Sequence, residues 1–277
     1  MDVRSREMSE ILKGADLLIH LAFVMFHRNQ RRRATDINID GSIQTYEMAA
    51  MRGVKRIVVA SSHTVYGAHP DNPIPLIETC ERRPNRALRY AWCKGILEDY
   101  LDQYETRNPQ VKVIRLRPCT VWGHNVPTTR ALLYLSSIAV SAKGYNAPIQ
   151  LLHESDMAQA FLLATLEENA QGAYNIAPGD WICPHELRRA LDIRALPLPN
   201  LAMPWVNRLM YRFNLTEIPP TWLCLAKHPV LLSNQKLNDC FGWSPTHNSI
   251  ETARQTLDDI RGQKVLQDED WPLSEDE

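Results

Sequence analysis

The sequence predicts an α/β protein, a parallel sheet with helices on both faces, followed by a smaller and mostly helical lobe. Three observations lead there. Short runs of Val, Ile and Leu recur without polar alternation, as in strands buried on both faces. Each run follows a segment whose apolar residues have helical spacing, and that alternation is the pattern of a parallel sheet. Beyond Pro178 the texture changes: Pro184, Pro197, Pro199, Pro204, Pro219, Pro220, Pro229 and Pro245 break up short helical pieces rich in Trp and Leu.

The first unit runs from Met8 to Lys13, with Met8, Ile11 and Leu12 spaced for a helix and Gly14 where a C-terminal cap glycine belongs. Leu17 to Ala22 then reads as a strand buried on both faces. In the second unit Ile39, Ile43, Tyr46 and Ala50 mark a helix over 38–52, Gly53 closes it, and Arg56 to Ala60 is the next strand. A third helix is predicted over 89–106 and a third strand over 111–116, ended by Pro118. Ala173 to Ile176 is the fourth strand. These elements divide the chain into a nucleotide-binding-type domain over 1–178 and a lobe over 179–266, with part of 124–150 contributing to the lobe. The acidic tail from Gln267 is expected to be disordered.

With 277 residues, 44% hydrophobic and 23% charged, the composition is that of a globular domain large enough to bury a sizeable core. A net charge of -1 supplies no overall field for nucleic acid or an anionic membrane. The local cluster of Arg28, Arg31, Arg32 and Arg33 is read as a solvated loop. Cys80, Cys93, Cys119, Cys183, Cys224 and Cys240 show no C-x-x-C spacing, so they are read as reduced thiols and no metal is expected. No apolar run approaches the roughly 18 to 20 residues of a membrane span, and the N-terminus lacks a signal-peptide core. A cytoplasmic protein without nucleic-acid or membrane partners is the expectation.

In open parallel sheets, ligands bind beyond the carboxyl ends of the strands. The strand Arg56–Ala60 runs into Ser61-Ser62-His63-Thr64-Val65-Tyr66-Gly67, which puts two hydroxyls there. On the third helix Tyr90 and Lys94 stand at i and i+4 and share a face. A tyrosine, with an ordinary pKa of about 10, is a poor base at neutral pH, and a neighbouring ammonium favours its phenolate. Tyr90 could then exchange a proton with a substrate hydroxyl or carbonyl, with Ser62 bonded to the same oxygen. Taken alone, Y-x-x-x-K is a weak signal.

The wider context strengthens it. The run Arg56 to Gly67, followed by Tyr90 and Lys94, resembles the extended short-chain dehydrogenase/reductases, the NAD-dependent epimerase/dehydratase group. His20-Leu21-Ala22 is similar to that family's strand-4 signature. Asn38-Ile39-Asp40-Gly41-Ser42 is similar to its N-x-x-G-T helix start, and Arg117-Pro118-Cys119-Thr120-Val121-Trp122-Gly123 to its R-P-x-x-V-Y-G turn. Leu152 to Ala158 and Gly242-Trp243-Ser244-Pro245 match later segments, so the similarity covers nearly the whole chain.

The resemblance implies a Rossmann-type doubly wound sheet, a nicotinamide cofactor (NAD favoured over NADP), a small-molecule substrate, and a homodimer through the helices at 38–52 and 89–106. It assigns catalysis to Tyr90, Lys94 and Ser62. Cofactor contacts fall to Asp2, His20, Leu21, Ala22, Asn38, Ser61, Tyr90, Lys94 and Pro118, and substrate contacts to Ser62, His63, Thr64 and Thr120. Asn38 would orient the lysine through a backbone or water contact, and His20 to Phe23 would border the cofactor. Simpler roles stand beside these: Asn38 as a helix N-cap, His20 as a hydrogen-bonded core histidine, and Asp156 as the N-cap of a helix over 157–166.

The family pattern opens with a strand and a G-x-x-G-x-x-G turn that lets a pyrophosphate approach a helix N-terminus. The eleven glycines here never fall two or three residues apart, and Met1-Asp2-Val3-Arg4 resembles the aspartate segment after the family's third strand. The resemblance therefore implies a start about 55 to 60 residues late, with Leu17 to Ala22 left as an open sheet edge. Either an initiation codon is misassigned or the gene is truncated.

Three functions follow: an NAD(P)-dependent epimerase, dehydratase or reductase, with a nucleotide sugar as the leading substrate class; a reductase of an apolar, steroid- or flavonoid-like alcohol; or a cofactor-free member acting as an interaction protein. Thr120, where many sugar-nucleotide enzymes carry asparagine, and the Trp- and Leu-rich lobe weigh against the first substrate class.

Overall fold

Four strands form the central sheet: β1 (Leu17–His20), β2 (Arg56–Ala60), β3 (Lys112–Pro118) and β7 (Gly172–Ile176), hydrogen-bonded in the order β1-β2-β3-β7 and all parallel. The computed structural model describes residues 7–24, 31–126, 138–213, 215 and 219–269. Two parallel pairs stand outside the sheet: β4 (Thr120–Trp122) with β6 (Leu151–His153), and β5 (Ile138–Ser141) with β8 (Arg194–Pro197).

Side chains alternate across a strand, and here both faces are apolar. Ile57, Val59, Val111 and Val113 meet Tyr46, Ala49, Leu97, Leu101 and Tyr104 on one face. Those partners come from helices α3 (Ser42–Met51) and α4 (Arg89–Arg107). On the opposite face Val58, Ile114, Leu116, Tyr174 and Ile176 pack on Ala160, Phe161 and Ala164 of α5 (Glu154–Leu166). A doubly wound sheet results, each large side chain contributing about 1.5–3 kcal/mol of burial. Gly53, with φ 80, ends α3 and turns the chain into β2 as the sequence predicts.

Three expectations need correction. β1 is not buried on both faces: Ile19 is 44% exposed, and of its four residues only His20 is buried. The strand lies at the sheet edge, as the family resemblance implies and the hydropathy pattern does not, with β2 its one neighbour among the described residues. Asn38 does not cap a helix. Helix α2 (Arg31–Asp36), following the short α1 (Met8–Ile11), continues through a π turn (Ile37–Gly41) into α3, so Asn38 lies inside a helical stretch that begins well before it. Asp156 does not cap either. Helix α5 starts at Glu154, and the cap is His153, whose Nδ1 accepts from Ser155 N at 3.2 Å. Asp156 is instead buried in the first turn, where its carboxylate accepts from the backbone N–H groups of Thr246 and His247.

After Pro178 come α6 (Pro184–Ala190), α7 (Met203–Arg212), α8 (Leu223–Lys227), α9 (Gln235–Phe241) and α10 (Ser249–Glu269), with short turns between them. Val230, Leu232, Leu237 and Trp243 join the core beneath the sheet, while α10 packs on Trp122 and Leu151. Helix α10 runs to Glu269, into the first residues expected to be disordered; 270–277 lie outside the described residues. So do the side chains of the Arg28 to Arg33 cluster. All six cysteines are free thiols, and only Cys240 is exposed.

Candidate active site

The site forms where β2 ends. Ser61 and Ser62 follow Ala60, and Ser62, in extended backbone, caps the 3-10 turn His63–Tyr66, its Oγ accepting from Thr64 N at 3.2 Å and Thr64 Oγ1 at 3.0 Å. The turn ends on Gly67 at φ 72. A Cβ there would lie 2.1 Å from the carbonyl oxygen of Arg83, so only glycine fits. Thr64 is buried beneath Ser62 and orients it, while His63 is half-buried and donates through Nδ1 to the Pro118 carbonyl at 3.1 Å. Thr120, two residues on in β4, is half-buried.

Helix α4 supplies the other side. Tyr90, Lys94 and Glu98 stand at i, i+4 and i+8 on one face. Lys94 is buried, and its ammonium donates to the Ala60 carbonyl at 2.5 Å. The same ammonium lies 3.8 Å from the centre of the Phe23 ring and 5.8 Å from that of Tyr90. Tyr90, half-buried, packs edge-on to Phe23 at 5.3 Å and against Trp222 at 5.8 Å. Lysine and tyrosine thus share one aromatic enclosure at the carboxyl end of the sheet.

Asn38 reaches this enclosure through the backbone. Its amide accepts from Val24 N at 2.7 Å and donates to Val24 O at 2.8 Å, pinning the residue that follows Phe23. The π turn that carries Asn38 is a device often found at functional sites. His20, at the end of β1, has Nδ1 3.4 Å from the Tyr46 hydroxyl and a buried Nε2 with no partner among the described residues. Leu21 and Ala22 are exposed. Asp2 lies outside the described residues.

Beneath the enclosure is a buried ionic network. Arg117 grips Glu98 with Nε on Oε1 at 2.9 Å and a second nitrogen on Oε2. Ser61 Oγ donates to Glu98, Arg117 also donates to the Tyr66 hydroxyl at 2.7 Å, and that hydroxyl donates to Asn175 at 2.8 Å. Burial pushes the Glu98 carboxyl up, but the bonds and charge of Arg117 outweigh it and hold the pKa below the ordinary value. Lys94 has no such grip. Burial presses its pKa from 10.5 down to about 7, with the Glu98 charge pulling the other way. His20 is lowered to about 4 by burial and then by the Lys94 charge, so it is neutral at physiological pH.

Of the residues expected at the site, Ser61, Ser62, His63, Pro118, Tyr90 and Lys94 converge where β2 and β3 end. Thr64 lies below the surface of the site. Sequence reasoning missed Glu98 and Trp222. Glu98 had a readable signal, the same helix face as Tyr90 and Lys94; Trp222 had none, because only tertiary packing brings it to Tyr90.

Residues 1–177 match the NAD dependent epimerase/dehydratase family. The chain belongs to that family. An uncharacterized protein of Mycobacterium tuberculosis is 23% identical over 256 residues, covering 90% of this chain and 68% of that protein. The UDP-glucose 4-epimerase of Erwinia amylovora is 35% identical over 80 residues, which is 29% of this chain and 23% of the epimerase. Among solved structures, a Thermus thermophilus UDP-glucose 4-epimerase in complex with NAD superimposes with a TM-score of 0.70 at 21% identity, covering 95% of this chain and 84% of that one. The shared fold places the epimerase/dehydratase chain's β1-β2-β3-β7 sheet within a Rossmann-like architecture.

Proposed function

We propose that this member of the epimerase/dehydratase family acts on a hydroxyl or carbonyl group with an NAD(P) cofactor, Tyr90 exchanging the proton. The observation that carries the reading is Lys94. A buried ammonium is costly unless something uses it, and this one is anchored by the Ala60 carbonyl beside the Tyr90 ring.

The residues present suit the nicotinamide end of such a cofactor. Lys94 and Tyr90 supply donors, His20 has an orphaned buried nitrogen, and Phe23 offers an apolar surface to a ring. When bound, the cofactor would accept and return a hydride. Ser62 would bond the substrate oxygen, and Tyr90 would take or give its proton, with Lys94 favouring the phenolate. Glu98 and Arg117 hold Ser61 beneath that pair and so fix the end of β2.

A nucleotide sugar is the substrate class favoured by the segment shared with the Erwinia UDP-glucose 4-epimerase. An apolar alcohol is the second reading, favoured by Trp222 against Tyr90. Turnover of UDP-glucose and of hydroxysteroids, with NAD and NADP in turn, separates the two. In the active pairing a Tyr90→Phe variant loses about a hundredfold or more in kcat; unchanged turnover would sink the assignment. A homodimer through the helical faces of α3 and α4 is part of the proposal, and light scattering on the purified chain tests it.

A further inference from the structure

Helix α7 carries large apolar side chains on both of its faces, with Met203, Val206, Met210 and Tyr211 half-buried on the inner one. Its inward positions include Asn207, whose side-chain oxygen is buried without a partner among the described residues. Its outward positions carry Trp205, Leu209 and, just past its end, Phe213, which are 73%, 57% and 63% exposed. Arg208 and Arg212 stand beside that column on the same outward face. Leu201, 88% exposed, extends the apolar row toward the helix start. A soluble helix buries its apolar stripe, and contiguous apolar patches on a surface mark a contact.

The charge pattern says what kind of contact. From Ile193 to Thr216 the sequence contains Arg194, Arg208 and Arg212 and not one Asp or Glu, in a chain whose acidic residues outnumber its basic ones by 32 to 31. Apolar side chains with Trp among them, flanked by arginines whose stems can lie along the same face, fit a helix lying in the headgroup region of an anionic bilayer. Among the described residues no helix is long and apolar enough to cross a membrane, and the ten residues of α7 suit an in-plane position. The expectation of no membrane partner rested on spans and net charge, and neither bears on a local face of this kind.

We propose that α7 and its flanks dock the protein peripherally on an anionic lipid surface. The face adjoins the candidate site: α7 packs against the turn Pro220–Trp222, and the Trp222 ring lies tilted against Tyr90. Docking there places the aromatic enclosure at the lipid boundary. The proposal does not depend on the assignment of Tyr90, because its test reads no turnover.

The test is flotation of the full chain with phosphatidylcholine vesicles, with and without phosphatidylglycerol. The wild type floats with the anionic vesicles, and Trp205→Ser with Leu209→Ser reduces partitioning by about a hundredfold, roughly tenfold per side chain. Arg208→Gln with Arg212→Gln reduces it by roughly twenty- to thirty-fold on anionic vesicles, about fivefold per charge. These two exposed arginines leave folding untouched, so the arginine pair keeps the test open if the apolar pair unfolds. Failure of the wild type to float, or flotation unchanged in both variants, overturns the proposal. Dissociation of a dimer by the apolar pair, with no flotation of the wild type, also overturns it and assigns the face to a second copy of the chain.

Discussion

Replacing Lys94 with methionine should stabilise the protein. The wild-type ammonium is buried, with its pKa pressed from 10.5 to about 7. A lysine with a depressed folded pKa penalises folding wherever the unfolded chain binds its proton and the folded one resists it. The penalty is complete below pH 7, shrinks as pH rises from about 7 to 10.5, and is gone above that range. At about 1.4 kcal/mol per pH unit it amounts to roughly 4–5 kcal/mol at and below neutrality. Methionine keeps the unbranched stem and brings sulfur to the Phe23 ring. The Ala60 carbonyl loses its donor, which costs about 1 kcal/mol. The expected gain is about 3 kcal/mol at pH 6 to 7, fading toward zero by pH 10. Urea denaturation of both proteins across that range measures it. A Lys94→Met protein no more stable than wild type at pH 6, or a gap that ignores pH, refutes the reasoning.

Glu98→Gln leaves Arg117 buried without its counter-charge, and urea melts should show a loss of about 3–5 kcal/mol; adding Arg117→Met should recover most of it. Phe23→Ala uncovers the Lys94 ammonium, now 3.8 Å from the ring centre, so amine-directed labelling of the peptide containing Lys94 should rise several-fold as read by mass spectrometry. Asp156 accepts from Thr246 and His247; burial pushes its carboxyl up, and those bonds more than offset this, leaving the pKa below 3.8. Its contribution is present above that pH and lost as pH falls through the folded value. Asp156→Asn should therefore cost about 1–3 kcal/mol at pH 7, with the gap to wild type narrowing in acid melts.

What was legible in the sequence was what local pattern controls. Arg56–Ala60 was readable to the residue because a strand with a neighbour on each side is apolar on both faces. Leu17 to His20 looks the same in sequence yet lies at the edge, since hydropathy reports composition and not the number of neighbours. Tyr90 and Lys94 were legible from i, i+4 spacing, and Glu98 continues it. A capping role was the alternative open to Asn38 and Asp156, because Asn and Asp commonly cap. Both lie within helical turns, and long-range partners, Val24 for one and Thr246 with His247 for the other, engage their side chains. No window of sequence contains such pairs.

Burial depresses the Lys94 pKa, and the charges around Glu98 explain why so little offsets it. One carboxylate, buried and ionised, faces Arg117 in a two-point grip, Arg82 at 3.6 Å and Lys94 by longer-range attraction. Arg82 has further partners in Asp99 and Asp102, and the guanidinium of Arg117 is held charged by the grip itself. Lys94 is left with a carbonyl and an aromatic face, which attract a cation but carry no net charge. The Tyr90 ring stands beside that ammonium, its centre 5.8 Å away. A Tyr90 phenolate or an anionic ligand at that point would restore the lysine's affinity for its proton, coupling ionisation of the tyrosine to retention of the ammonium. The instability predicted for Lys94 in the free protein would then be the same quantity that an anion bound beside it relieves.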